Sequence, residues 1–363
     1  MSELAALLSL DSLRQRIIEA AARKTPLRLR GGGTKDFYGN EPRGEMLDTR
    51  GHAGIVDYEP TELVITARCG TPLIEIQNVL EKEDQMLAFE PPHFGERATV
   101  GGCVAAGLSG PRRASAGALR DFVLGVTVVD GRGRLLRFGG QVMKNVAGYD
   151  VSRLLAGSLG TLGVIAEVSL KVLPRAPAQQ TLRLEMEEGA ALEALNGWAG
   201  RPLPVTASAW HAGRLWLRLE GRRAAIDPAI AQIGGERVDA EQAQALWSSV
   251  REQTHAFFGG AASLWRLAVP STTPPLAVGQ EAAGGTLLEW GGGLRWLKSS
   301  AEPARLRDAA SRVGGHATLF RAAHKPAPAF APLAPAVLRV HRELKAAFDP
   351  VGILNPGRLV PEL

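Results

Sequence analysis

Residues 11–24 place Leu13, Ile17 and Ala21 on one side of a helix, with Asp11 or Ser12 as its cap. Leu27–Arg30 alternates as a short strand and runs into R-G-G-G-T-K-D at 30–36. Further short strands are predicted at Met46–Asp48, Ile55–Tyr58 and Leu63–Ala67. Thr71 then caps a helix that has Pro72 at its first position and Leu73, Ile76, Val79 and Leu80 on its buried side. Val126–Val129 and Leu135–Phe138 read as a hairpin around Asp130-Gly131, and 140–150 as a polar connection. From 151 to 174 come a short helix, a glycine-rich turn and an alternating strand that stops at Pro174. Such short, mixed elements predict an α+β domain over 1–174.

Composition shifts at R-A-P-A-Q-Q, 175–180. Beyond it strands and helices alternate in two rounds. The first has strands at Leu182–Met186, Val205–Trp210 and Arg214–Glu220, with helices near 189–198 and 224–233. After a helix near 240–258, the second has Leu264–Val269, a hairpin over 287–298, a helix near 302–313 and Ala317–Phe320. Two rounds on an antiparallel sheet suggest a ferredoxin-like α+β domain over 175–330. A Pro/Ala-rich spacer at 325–336 leads to a helix over 336–348, with Leu338, His341, Leu344 and Phe348 as its buried side, and a turn-rich end.

At 363 residues the chain exceeds one ordinary core, so two domains are expected. The net charge of +5 is spread along the chain, which favours anionic ligands or partners without forming a nucleic-acid signature. Cys69 and Cys103 stand far apart and cannot by themselves hold zinc or an iron–sulfur cluster, and a reducing cytoplasm fits them. The start, M-S-E-L-A-A-L-L, lacks a basic leader, and no apolar run is long enough for a bilayer, so membrane association is expected only through a partner.

The chemistry points to glycine. Six glycines fall between Gly101 and Gly125, and three more stand at 31–33 before Thr34 and Lys35. Glycine lets main-chain N–H groups approach something large and anionic, and Thr99 is placed to cap a helix start beside them. Each cluster alone is equally compatible with a tight loop.

Four motifs occur in order: R-G-G-G-T-K at 30–35, T-V-G-G-C-V-A-A-G-L-S-G-P-R-R at 99–113, G-S-L-G-T-L-G-V-I-A-E-V at 157–168, and F-D-P-V-G-I-L-N-P-G-R at 348–358. Together they resemble the FAD-binding proteins of the vanillyl-alcohol oxidase / p-cresol methylhydroxylase type. The segments at 110–121 and 144–163 are most similar to the smaller FAD-binding subunits of bacterial glycolate oxidases. The resemblance implies a PCMH-type two-subdomain FAD-binding domain (1–174), a ferredoxin-like cap (175–330) and a C-terminal segment (331–363) that returns to the first domain.

It also implies cofactor contacts. The first loop would contribute Arg30, Gly31, Gly32, Gly33, Thr34 and Lys35, followed by Pro91. The second would contribute Thr99, Val100, Gly101, Gly102, Ala105, Gly107, Ser109 and Gly110, with Gly117 and Asp121 continuing the wall. Gly163, Val164 and Ile165 would meet the adenine side, and Asn355 and Arg358 would arrive from the tail. Covalent members carry a flavin-linked histidine where this chain has Thr34, so non-covalent FAD is expected.

Larger hydroxy-acid-oxidising members carry a histidine-rich metal motif, which this chain lacks, and no metal site is expected. His93, in the proline loop, is either a ligand or structural; His211, His255, His316, His324 and His341 are scattered, Arg321 and His324 are candidates for facing the flavin, and no catalytic residue is assigned. The expected role is that of a flavoprotein subunit working with a larger FAD subunit and an iron–sulfur subunit on glycolate or another small 2-hydroxy acid. The alternatives are a self-sufficient oxidase or dehydrogenase and a flavin-free assembly subunit.

Overall fold

The computed structural model describes residues 3–140, 150–282 and 284–363. The segment at 141–149, which holds most of the expected polar connection and K-N-V-A-G-Y, lies outside the described residues. The chain divides into two compact units. The first comprises 1–108, 118–174 and 332–363; the second comprises 109–117 and 175–331.

The first unit begins with α1 (Glu3–Arg23), β1 (Leu27–Arg30), β2 (Glu45–Asp48), β3 (Ile55–Glu59), β4 (Val64–Arg68), α2 (Leu73–Glu81), β5 (Gln85–Met86) and α3 (Val100–Ala106). After α4 (Arg113–Ala116), which belongs to the second unit, it resumes with β6 (Val123–Val129), β7 (Leu135–Gly139), β8 (Val164–Lys171) and β9 (Leu173–Pro174). β1 and β2 pair in parallel, and β3-β4-β8-β6-β7 form a five-stranded antiparallel sheet. Leu13 and Ile17 of α1 pack with Leu27, Leu47, Val129, Val164 and the tail residues Ile353 and Leu354, which seals the tail into this core.

Two helix starts differ from expectation. α1 continues back past Asp11, whose carboxylate pairs with Arg14 one turn on instead of capping. Thr71 does not cap α2; its hydroxyl donates to the Gly54 carbonyl at 3.1 Å and accepts the Gly54 N–H at 2.8 Å, while Pro72 stands at the N-cap.

The second unit contains β10 (Ala178–Glu185), α5 (Glu188–Ala199), β11 (Val205–His211), β12 (Arg214–Gly221), α6 (Arg223–Ile233), β13 (Glu236–Val238), α7 (Ala240–Arg251), β14 (Leu264–Ala268), α8 (Ala277–Gln280), β15 (Thr286–Glu289), β16 (Leu294–Lys298), α9 (Pro303–Arg312) and β17 (His316–Arg321). Its sheet has eight strands in the order β13-β10-β12-β11-β15-β16-β14-β17. Numbered within its own round, the first half reads 4-1-3-2 and the second 2-3-1-4, so two βαββαβ rounds meet through their second strands. Alternation along the strands sends Leu182, Leu215, Leu217 and Leu219 into one cluster with α5 and α6. Trp265, Leu267, Leu297 and Leu319 enter another with α9.

The chain returns to the first unit through α10 (Pro335–Phe348). Its buried positions are Lys345 and Phe348, whereas Leu338, His341 and Leu344 are half-buried.

Candidate functional site

In the first unit the ends of β1 and β8, the start of α3, the turn before β8 and the tail enclose a cavity of about 70 Å³. Arg30, Gly31, Gly101, Gly102, Ala105, Gly163, Val164, Ile165 and Asn355 line it, and all nine were expected to bind the cofactor. Leu29, Thr49, Cys69, Leu159 and Gly160 complete the wall.

The walls leave no room for larger residues. A Cβ at Gly101 would stand 2.6 Å from the Cys69 Cβ. Gly163 has φ +154°, and a Cβ there would stand 2.5 Å from Val128 Cγ2. Thr99 caps α3 by accepting the Gly102 N–H at 3.3 Å, and the Leu73 N–H bonds the Ala98 carbonyl at 2.8 Å. Among the described lining residues there is no carboxylate, and the charged one is Arg30. An anionic group approached by backbone therefore fits; one cavity of this size takes part of a dinucleotide.

Buried polar side chains hold these walls. The Asn355 Oδ1 accepts the Leu29 N–H at 2.8 Å and its Nδ2 donates to the Leu159 carbonyl at 2.6 Å, joining β1 to the glycine turn. Lys345 Nζ donates to the Thr161 and Leu354 carbonyls at 2.8 and 2.7 Å and to Asp349 Oδ2 at 2.7 Å. Burial pulls the Lys345 ammonium below its ordinary pKa, against the opposing pull of Asp349. Asp349 in turn accepts the Gly352, Ile353 and Leu354 N–H groups. Asp36 Oδ2 accepts from Arg28 at 2.6 Å and from Arg30 Nε at 2.8 Å, fixing the arginine at the rim. Arg358 spends its guanidinium on the Asn40 and Asp36 carbonyls, and burial lowers its pKa to about 10.

Other expected residues lie outside the lining. Gly32 is packed under the Arg97 carbonyl, and Gly33 turns the loop at φ +75°. Lys35 reaches away to the Thr34 hydroxyl and the His93 carbonyl (3.1 Å) and lies over Phe94. Pro91 and Val100 are buried, and the Val100 N–H bonds the Thr71 carbonyl. Gly107 ends α3 at φ +64°. Asp121 is exposed and accepts the Ala118 N–H at 2.9 Å, closing a single turn. Ser109, Gly110 and Gly117 belong to the second unit, so the expected unbroken wall from 99 to 121 divides there.

Sequence reasoning passed over Asp36, Lys345 and Asp349. The signals were an acid closing the basic loop R-L-R-G-G-G-T-K-D and a Lys–Asp pair one helical turn apart.

In the second unit Arg112, from the excursion 109–117, makes a two-pronged ion pair with Glu220, with Nη2–Oε1 at 2.8 Å. Arg218 stands 3.7 Å from the same carboxylate and over Trp247. Burial pushes the Glu220 carboxyl up, but the Arg112 hydrogen bond and the charges of Arg218 and Arg112 outweigh it, leaving the group below its ordinary value. His211 and His255 meet edge to face, and burial, then His211, holds the His255 imidazole below its ordinary value. Arg321 donates to Gln253, and His324 is exposed. Among the described residues no three His, Cys, Asp or Glu side chains converge as a metal site, and no helix is long and apolar enough to cross a membrane. Burial pushes the Cys69 and Cys103 thiols up to about 12 and about 11.

Residues 5–139 match the FAD binding domain family. The whole fold is similar to p-cresol methylhydroxylase with substrate bound, at TM-score 0.73 and 14% identity over 97% of this chain and 87% of that one. It is also similar to alkyldihydroxyacetonephosphate synthase, at TM-score 0.67 and 15% identity over 95% and 75%. Family match and fold together define a chain with an FAD binding domain in a PCMH-type fold.

Among individual relatives, the glycolate oxidase subunit GlcE of Escherichia coli (strain K12) is 47% identical over 97% of this chain and 98% of its own length. The glycolate oxidase subunit GlcD of Bacillus subtilis (strain 168) is 30% identical, over 54% of this chain and 42% of its own. The chain belongs to the GlcE family.

Proposed function

We propose that this chain is the FAD-carrying small subunit of a glycolate-oxidising complex. In this reading a larger flavoprotein subunit converts the 2-hydroxy acid to the 2-oxo acid, and an iron–sulfur subunit takes the electrons onward. The complex sits on the cytoplasmic face of the membrane through its partners. The observation that carries the reading is the end-to-end 47% identity to GlcE.

FAD, when bound, would supply a redox centre able to relay electrons between partner subunits. The chain's part is to hold and shield it. The backbone of Gly31, Gly101, Gly102 and Gly163 would meet the diphosphate and adenine side, with Arg30 as counter-charge. Ala105, Val164 and Ile165 would exclude water, and Asn355 would keep the two walls in register. Thr34 offers no histidine for a covalent link, so the cofactor is held without a bond to the chain.

The test is purification of the complex from native membranes, with flavin and iron counted per chain, followed by acid precipitation. The expected result is a yellow chain whose flavin enters the supernatant, with iron tracking a separate polypeptide. The isolated chain should not reduce its own flavin with glycolate. Reduction by glycolate in the single chain would point instead to a self-sufficient dehydrogenase, and a colourless chain that cannot be reconstituted would leave an assembly role.

A further inference from the structure

The second unit has a cavity of about 230 Å³ made wholly of its own residues. It lies at the corner where the chain leaves α5 and enters β11. Along β11, Ala207 and Ala209 pack with Trp247 and Val250 of α7, whereas Trp210 enters the cluster under α5 and α6. Ser208 shares the side of Trp210 and so meets the cavity from beneath α5. The pairing of β11 with β12 slips between Val205 and Ala207, and this bulge bends the strand at Thr206. Leu195 and Trp198 of α5 and the approach through Leu203 form the apolar walls. Ala114 and Ser115 of the 109–117 excursion close one side, with Ser115 Oγ 2.9 Å from the Thr206 carbonyl. The corresponding corner of the second round, between α8 and β15, is packed shut: a Cβ at Gly279 would stand 2.6 Å from Thr286 Oγ1. A Cβ at Gly291, on the cavity wall, would meet nothing within 4 Å. A round of this fold therefore does not require the space.

The polar side chains of the lining are three hydroxyls and one cation. Arg201 is exposed at the rim with its head in water, so the interior carries no charge. Thr206 donates to the Arg218 carbonyl, and Ser115 to the carbonyl of Arg112 or of Thr206. Ser208 differs. It is 5% exposed, its Oγ accepts the Gly291 N–H at 2.9 Å, and among the described residues its own proton has no acceptor. A buried hydroxyl with an open donor selects a ligand that carries an acceptor, because a purely apolar ligand would leave the donor unpaired. The Trp198 indole, half-buried in the wall, supplies a flat apolar face. An apolar cavity of about 150 Å³ takes a benzene ring. This larger one has room for a second ring, and a single aromatic side chain from a partner would leave part of it unfilled.

We propose that this cavity binds a neutral, planar molecule of one or two aromatic rings bearing a carbonyl or similar acceptor, with Ser208 as the donor to it. Neither flavin nor glycolate enters the chemistry of this site, so it stands whether or not the proposed function does. A ligand bound there would brace the 109–117 excursion against the start of β11.

The test is titration of the full-length chain with 1-indanone, a two-ring ketone, and with indane, its counterpart without the oxygen. Binding is read by saturation transfer from the ligand protons and by the shift in melting temperature. The expected result is saturable binding of both, with indanone about three- to tenfold tighter. Ser208→Ala should bring the two affinities together, and Ser208→Thr, which keeps the hydroxyl, should keep them apart. Val205→Trp fills the cavity and should abolish both while the circular dichroism of the fold is retained. If that variant does not fold, Overhauser contacts from indanone to an indole ring, lost in Trp198→Phe, decide in its place, and their absence overturns the site. Equal affinities in the wild type, a preference for indanone that survives Ser208→Ala, or binding unchanged by Val205→Trp would each overturn it. So would the lack of saturable binding by either compound, which would leave the cavity to an apolar side chain of a partner.

Discussion

Beside the first unit's cavity Lys345, Asp349 and Arg358 grip the backbone; on the second unit's sheet Arg112, Arg218 and Glu220 grip one another. Lys345, Asp349 and Arg358 spend their hydrogen bonds largely on main-chain groups, and what they hold in place is a cavity walled by glycine. Arg112, Arg218 and Glu220 form a buried charge cluster on the sheet, and Arg113 and Arg266 gather on Trp290. The first arrangement suits a large ligand met through many N–H groups, where any added side chain is an obstruction. The second ties the 109–117 excursion to the sheet through charge. A unit of either kind fails differently when a residue is changed, and that difference can be measured.

The largest effect is expected at Lys345. Replacing it with Met strands Asp349 without its cation and leaves two buried carbonyls unpaired, at a cost of about 3–5 kcal/mol. Calorimetric melting should show the loss, and flavin affinity should fall with it because Thr161 and the tail lose their shared anchor. If flavin affinity stays while stability drops, the lysine serves the core alone and the contrast drawn above weakens.

Glu220→Gln should cost less, about 2 kcal/mol, since a neutral hydrogen bond to Arg112 survives. Its pH signature is more telling. The folded carboxyl titrates below its ordinary value of 4.5, so its stabilisation is complete above that value and is lost as pH falls through the lower folded value. Melting of the wild type should therefore decline on the acid side of pH 4.5, and the variant should decline less steeply there. Flavin content should not change, which would separate the charge cluster from the cofactor walls.

Thr99→Ala is the finest probe. It removes the α3 cap, worth about 1 kcal/mol, while leaving every glycine in place. Flavin affinity measured by fluorescence titration should weaken a few-fold. No change at all would mean that the cap shapes the helix without shaping the wall.

Much of this was legible in the chain. Alternation placed the strands of both rounds except the short β13, whose three residues are exposed or half-buried, because one face of the other strands enters a cluster under helices and the period of two survives in sequence. Thr99 was legible as a cap, and the glycine clusters as places where backbone must come close. Thr71 and Asp11 misled, since a hydroxyl or carboxylate before a helical pattern reads as a cap even when a loop or an i+3 arginine has claimed it. Lys345 on an amphipathic helix reads as solvated, and its burial follows from a tail that folds back from residues 349–355, which no local window shows. The assignment of 109–117 to the second unit depends in the same way on Glu220, 108 residues from Arg112.

The mirrored order of the second unit's sheet has one more implication. The seam between its halves, β11 against β15, carries three paired residues, Ala209 with Glu289, Trp210 with Leu288 and His211 with Leu287, whereas β10 against β12 carries eight. The sheet has a narrow waist, and severing it would leave each half with all four strands and its own helices intact. Amide exchange across this domain should accordingly sort into two separately opening blocks, with the waist as the cheapest place for the protein to come apart without unfolding.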